Sequence, residues 1–152
     1  MKHEDDAVRV YFRLLRLNTR IRLAMSGRLK KLRLSAAQTD VLTTLTEAEG
    51  ISQQDLAQRL YVTKGNISGL VDRLVESGLV ERRSLNGDRR SHSIFLTAAG
   101  RKSAGDGILA QREFVARTFG QMDSARLHEF EALLVTARTM VREAEHIEAK
   151  RH

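Results

Sequence analysis

The chain contains no cysteine, no proline and no tryptophan among its 152 residues. Without cysteine there is no disulfide and no thiol-based redox switch. Without proline no helix is forced to kink or stop, which suits long uninterrupted helices. No apolar run reaches the roughly 18 residues of a membrane span, and the opening Met-Lys-His-Glu-Asp-Asp is not a signal peptide, so a cytoplasmic protein is expected. Catalytic signatures are missing too: there is no His-Glu-x-x-His, no glycine-rich phosphate loop and no serine with a credible partner base. The five histidines, His3, His92, His128, His146 and His152, lack ligand spacing. Neither a metal, nor a cofactor, nor an enzymatic activity is expected.

What remains is a globular composition, 41% hydrophobic and 30% charged, of a length that fits one domain. The net charge of +7 is unevenly spread, with +7 in residues 1–33, −3 in 34–51, +2 in 52–97 and +1 in 98–152. Excess basic charge points to an anionic partner, and here it sits mainly in the first segment.

The stretch from Ser52 to Thr97 organises the rest. Leu56, Ala57 and Leu60 share one side of a short helix that starts with a Ser52…Asp55 capping box. After a turn at Val62, Thr63 caps a second helix, where Ile67, Leu70, Val71 and Leu74 form an apolar stripe of helical period. Gly78 supplies its left-handed stop. The opposite face carries Lys64, Gly65, Asn66, Ser68, Gly69, Asp72 and Arg73. Such a polar, small and basic face matches base edges and phosphates in a major groove. Gly65 and Gly69 each cost about 1 kcal/mol against alanine inside a helix. Close approach to a partner surface and packing against another helix explain them equally well.

Two strands are predicted next, over 79–84 and 91–97, the second alternating through His92, Ile94 and Leu96. Asn86-Gly87 is a hairpin turn signal, and it leaves Asp88, Arg89 and Arg90 at the tip. A helix pair followed by a basic-tipped ribbon is a winged helix-turn-helix, with one element for the major groove and one for phosphates or the minor groove.

The run from Leu56 through Gly100 resembles the MarR family of transcription regulators. The resemblance is carried by Leu-Ala-Gln-Arg-Leu at 56–60, Val-Thr-Lys-Gly-Asn-Ile-Ser-Gly-Leu-Val-Asp-Arg-Leu at 62–74 and Gly-Leu-Val at 78–80. Asp88-Arg-Arg90 stands in the family's Asp-x-Arg position, closed by Leu96-Thr-Ala-Ala-Gly100. It implies that Arg89 or Arg90 enters the minor groove while Asp88 holds the wing arginine. It also implies DNA contacts from Thr63, Lys64, Gly65, Asn66, Ser68 and Arg73.

The flanks fit that frame. Residues 5–31 read as one helix whose broad apolar stripe, including Val8, Tyr11, Phe12, Leu15 and Met25, exceeds what a small core needs. Its arginines fall largely off the stripe. The acidic trio Glu4, Asp5 and Asp6 and the lack of tryptophan argue against a membrane surface. Ser35 and Gln38 open a helix through Val41, Leu42 and Leu45 that stops at Gly50, and Ile51 is expected to act as a minimal edge strand. Residues 98–118 form a further helix weakened by Gly105 and Gly107, and Asp123 caps a last helix with a stripe from Leu127 to Ile147.

The expected fold is mainly α with a small β-wing, comprising six helices and two to three short strands. Residues 34–97 form the DNA-binding region, and 1–33 with 98–152 form a helical dimerisation region. A homodimer would offer two heads to a palindromic operator in double-stranded DNA, spaced by about one helical turn, roughly 34 Å. Family resemblance implies a repressor released by a small aromatic effector. Such a ligand would be lined by Tyr11, Phe12, Leu15, Arg16, Met25, Val41, Leu45 and Ile108, with Arg16 or Arg20 answering a carboxylate. A winged helix that contacts only proteins is the competing reading.

Overall fold

The computed structural model describes residues 2–84 and 92–150 and divides into two compact units, Met1–Arg112 and Glu113–His152. The first unit holds α1 (Lys2–Lys31), α2 (Ala36–Glu47), α3 (Gln53–Arg59), α4 (Lys64–Glu76), β1 (Val80–Ser84), β2 (His92–Leu96) and the start of α5 (Ala98–Arg117).

Its core is the set that helical and strand periodicity select. Ile67, Leu70, Val71 and Leu74 turn inward from α4 and share the core with Val41, Leu42 and Leu45 of α2, Leu56 of α3, and Ile94 and Leu96 of β2, all buried. Each such aliphatic side chain contributes about 1.5–3 kcal/mol on leaving water.

Caps set where the helices begin. At α2 both halves of the box form: the Gln38 N–H donates to Ser35 Oγ at 3.1 Å and the Ser35 N–H donates to Gln38 Oε1 at 2.9 Å. At α3 only half forms. The Asp55 N–H donates to Ser52 Oγ (3.0 Å), but the carboxylate accepts the Ser52 hydroxyl proton at 2.8 Å rather than a backbone N–H. The helix α4 ends in a Schellman motif at Gly78 (φ +69°), with Gly78 N–H to Val75 O and Leu79 N–H to Leu74 O, both 2.9 Å.

Strands β1 and β2 pair antiparallel, with Val80 opposite Leu96 and Arg82 opposite Ile94. The expected third strand is a single bridge, Ser52 with Ser93, flanked by hydrogen bonds from Gly50 N–H to Ile94 O (2.9 Å) and from Ile94 N–H to Ile51 O (3.0 Å). Alternation in β2 is incomplete: His92 is exposed, beyond the edge of the core, and Ser93 is buried by that bridge. Glu49 seals the outer edge of β2, where its Oε1 accepts the Leu96 N–H at 3.0 Å while Arg101 of α5 donates to both carboxylate oxygens.

Neither Gly105 nor Gly107 interrupts α5. Gly107 is a contact point instead, since a Cβ there would lie 2.9 Å from Thr39 Cγ2. Gly100 is more constrained, because a Cβ would fall 1.8 Å from the Leu79 carbonyl oxygen.

The second unit holds a 3-10 turn, Phe119–Gln121, which the sequence pattern did not disclose, and α6 (Ser124–Ala149). Asp123 caps α6 by accepting the Arg126 N–H at 2.9 Å, and Phe119 stacks on Phe130 with ring centroids 6.0 Å apart. No residue of α6 is buried, and its stripe stands open, with Leu133 62% and Met140 64% exposed.

Candidate nucleic-acid interface

Helix α4 presents two unlike faces. One is sealed in the core, and the other is built from Lys64, Gly65, Asn66 and Arg73, all exposed, with Ser68 half-buried beside them. Thr63 fixes the start of this face, its Oγ1 accepting the Asn66 N–H at 3.3 Å. Thr63 also keeps its own side chain at the surface.

The two glycines of α4 decide between the readings that the sequence left open. A Cβ on Gly65 would meet nothing within 4 Å, and one on Gly69 would meet only Arg73 Nη1 at 3.9 Å. No helix of the first unit packs on them. The surface they flatten is open, as close approach of an outside partner requires.

Charge on this face is arranged by a residue that sequence reading passed over. Arg82 of β1 reaches Asp72 of α4, Nη2 to Oδ1 at 2.5 Å, and the same guanidinium donates to Gln53 Oε1 of α3 at 3.3 and 3.4 Å. One side chain thereby joins β1 to both α3 and α4. It also pairs the acid that precedes Arg73 in the sequence. The signal was the strand period: Arg82 shares the Val80 face, which turns inward, so its charge needed partners. The next arginine, Arg83, lies 4.2 Å over the Phe95 ring and pairs with Glu81.

Arg73 and Lys64 make no ion pair among the described residues, so both charges remain available. The turn Asn86-Gly87 and the wing residues Asp88, Arg89 and Arg90 lie outside the described residues. A second feature missed in the sequence is the backbone of Tyr61, which takes φ +53° between α3 and α4 where no glycine is present.

Two carboxyls of the first unit depart from their ordinary values. The Arg101 hydrogen bond, with the Leu96 N–H and the charges of Arg101 and Arg83, holds Glu49 below its usual range. Desolvation raises Asp40 of α2 against the pull of Arg22.

The eight residues expected around a ligand differ in burial. Met25, Val41 and Leu45 are filled core, and Ile108 is half-buried. Tyr11, Phe12, Leu15 and Arg16 are exposed, and Tyr11 stands about 21 Å along α1 from Met25 at 1.5 Å per residue. The rings of Tyr11 and Phe12 meet edge to face at 5.4 Å. No group of His, Asp or Glu suited to a metal occurs among the described residues, nor does any helix there have the length and apolarity to cross a membrane.

Residues 34–92 match the sequence profile of the MarR family. The HTH-type transcriptional regulator TtmR of Methylorubrum extorquens is 37% identical over 94 residues, 62% of this chain and 46% of TtmR, so the match spans about half of that regulator's length. Among solved structures, S. aureus MepR in complex with DNA superposes with a TM-score of 0.79 over 86% of this chain and 97% of that one, at 22% identity, which is a likeness of fold. CouR from Rhodococcus jostii bound to p-coumaroyl-CoA superposes with a TM-score of 0.74 over 82% of this chain and 88% of that one, at 28% identity.

Proposed function

We propose that this chain, whose residues 34–92 match the MarR family profile, is a homodimeric regulator of that kind that binds duplex DNA sequence-specifically and represses transcription until a small aromatic ligand releases it. Its relatives are transcriptional regulators rather than enzymes. The observation that carries the reading is the outer face of α4: capped by Thr63, flattened by Gly65 and Gly69, bearing free Lys64 and Arg73, and backed by a closed core.

Thr63, Lys64 and Arg73 contact phosphate or guanine, and Asn66 and Ser68 read base edges. Asp88, Arg89 and Arg90 take the wing to the neighbouring minor groove. Residues 34–97 act as the reading head, and the segments 1–33 and 98–152 pair two chains. Support for pairing is the apolar surface left open within each unit, on the first half of α1 (Tyr11, 56% exposed) and along α6. Two heads related by a two-fold axis suit a palindromic operator.

The effector is an aromatic acid or its thioester; CouR is bound to a compound of the second kind, p-coumaroyl-CoA. Tyr11, Phe12, Leu15 and Arg16 offer it an accessible aromatic and cationic surface, whereas Met25, Val41, Leu45 and Ile108 must shift to admit it. Only a ligand with different affinities for the DNA-bound and released arrangements moves the equilibrium.

Selecting duplexes from a randomised pool at fixed salt, followed by a screen of aromatic acids for release, tests this function. Enrichment of an inverted repeat supports it. Failure to enrich any sequence while the chain captures a protein partner favours the protein-contact alternative.

A further inference from the structure

Tyr61 has the most exposed large apolar side chain among the described residues, at 90%, and its backbone is left-handed at φ +53°. The conformation is imposed by the end of α3, where the Tyr61 N–H donates to Gln58 O (3.2 Å) and the Val62 N–H to Ala57 O (3.0 Å). At the corresponding turns after α2 and α4 the left-handed residues are Gly50 (φ +81°) and Gly78 (φ +69°). Arg33 adopts the same geometry after α1 with φ +57°, so backbone alone does not single Tyr61 out. Exposure and position do.

An L-residue in this conformation is disfavoured relative to glycine, and an aromatic ring normally compensates by burial. Tyr61 has no such compensation within its own chain. It stands two residues before Thr63, which places its Cα within about 7 Å of the first capped turn of α4. Exposed Arg59 and Lys64 flank it on either side in the sequence. When the start of a helix enters a groove about 12 Å wide, a side chain so close to its mouth meets the sugar-phosphate wall. A phenol can donate to a phosphate oxygen there, and its ring can lie against a sugar.

We infer that Tyr61 is a DNA-contacting residue, seated on the sugar-phosphate backbone beside the groove that α4 enters; this rests on the DNA-binding reading above. A backbone strained and exposed at a functional edge is expected where the compensation comes from the partner. The contact supplies affinity and fixes the approach of α4 without carrying base information.

The test compares wild type with Tyr61→Gly and Tyr61→Phe on a duplex that the wild type has selected from a randomised pool. Binding is read by fluorescence anisotropy across a salt series, and Tm is read without DNA. Tyr61→Gly should bind roughly tenfold more weakly, with a Tm at or above that of wild type and an unchanged salt slope. Lys64→Ala, by contrast, should reduce that slope by about 0.9 for each phosphate it neutralised. An equal loss in Tyr61→Phe assigns the contact to the hydroxyl, and a loss only in Tyr61→Gly assigns it to the ring. Wild-type affinity in Tyr61→Gly overturns the inference, as does a loss of affinity accompanied by a lowered Tm, which would give Tyr61 to the fold. If the wild type selects no duplex, the DNA-binding reading fails and this inference fails with it.

Discussion

Arg82 Nη2 on β1 lies 2.5 Å from Asp72 Oδ1 on α4, so the strand that leads into the wing is tied directly to the helix proposed to read DNA. Arg82 is the less exposed partner, with 26% of its side chain accessible against 60% for Asp72. At that exposure the pair contributes about 0.5–1 kcal/mol. Its larger effect is geometric. Arg82→Ala should leave Tm within a few degrees of wild type while weakening duplex binding, because wing and helix are no longer held in one arrangement. A double-mutant cycle with Asp72→Asn, read in both urea unfolding and DNA titration, should show coupling in both.

The glycines of the first unit should respond oppositely to the same substitution. Gly69→Ala adds a Cβ that meets only Arg73 Nη1 at 3.9 Å, so the helix should gain up to about 1 kcal/mol of propensity while DNA affinity falls. Gly100→Ala would set a Cβ 1.8 Å from the Leu79 carbonyl oxygen, and the backbone must move to relieve it. A loss of about 1–3 kcal/mol is expected, measured by denaturant unfolding.

Stability should depend on pH through Glu49. Its carboxyl is held below the ordinary 4.5, so the folded form favours the ionised state. The contribution is complete above that ordinary value and is lost as pH falls through the lower folded value. Asp40 acts in the reverse sense: its raised pKa makes its contribution complete below 3.8 and lost as pH rises. Asp40→Asn and the double variant Asp40→Asn/Glu49→Gln should therefore differ in Tm above pH 4.5 and converge as pH falls progressively below it.

The features legible in the sequence were those set by local spacing. The Ser35–Gln38 box, the Thr63 and Asp123 caps, the Gly78 stop and the stripe Ile67, Leu70, Val71, Leu74 involve residues three or four apart or one special backbone angle. Contacts that depend on strand register were not legible. Arg82 meets Gln53, 29 residues away, and Glu49 meets Arg101, 52 away, because β1 and β2 pair where they do. The Tyr61 turn was not legible because neither glycine nor asparagine marks its left-handed backbone. The expected ligand residues follow from the junction that the family resemblance implies, and apolar period along the helices does not separate filled core at Val41 and Leu45 from open surface at Tyr11 and Phe12.

Open apolar surface on α1 and α6 should govern assembly. Leu133→Glu with Met140→Glu on α6 should yield monomers in sedimentation velocity with helix content retained, since neither side chain is buried in the chain itself. The monomer should lose most of its affinity for an inverted repeat and much less for a single half-site.

The most direct measurement is the mass of the complex formed on one selected duplex, by native mass spectrometry or sedimentation equilibrium. The account predicts two chains on one duplex carrying an inverted repeat, and loss of that complex when Lys64 and Arg73 are both replaced by alanine. A single chain bound per duplex, or a complex indifferent to those substitutions and to sequence, would contradict it.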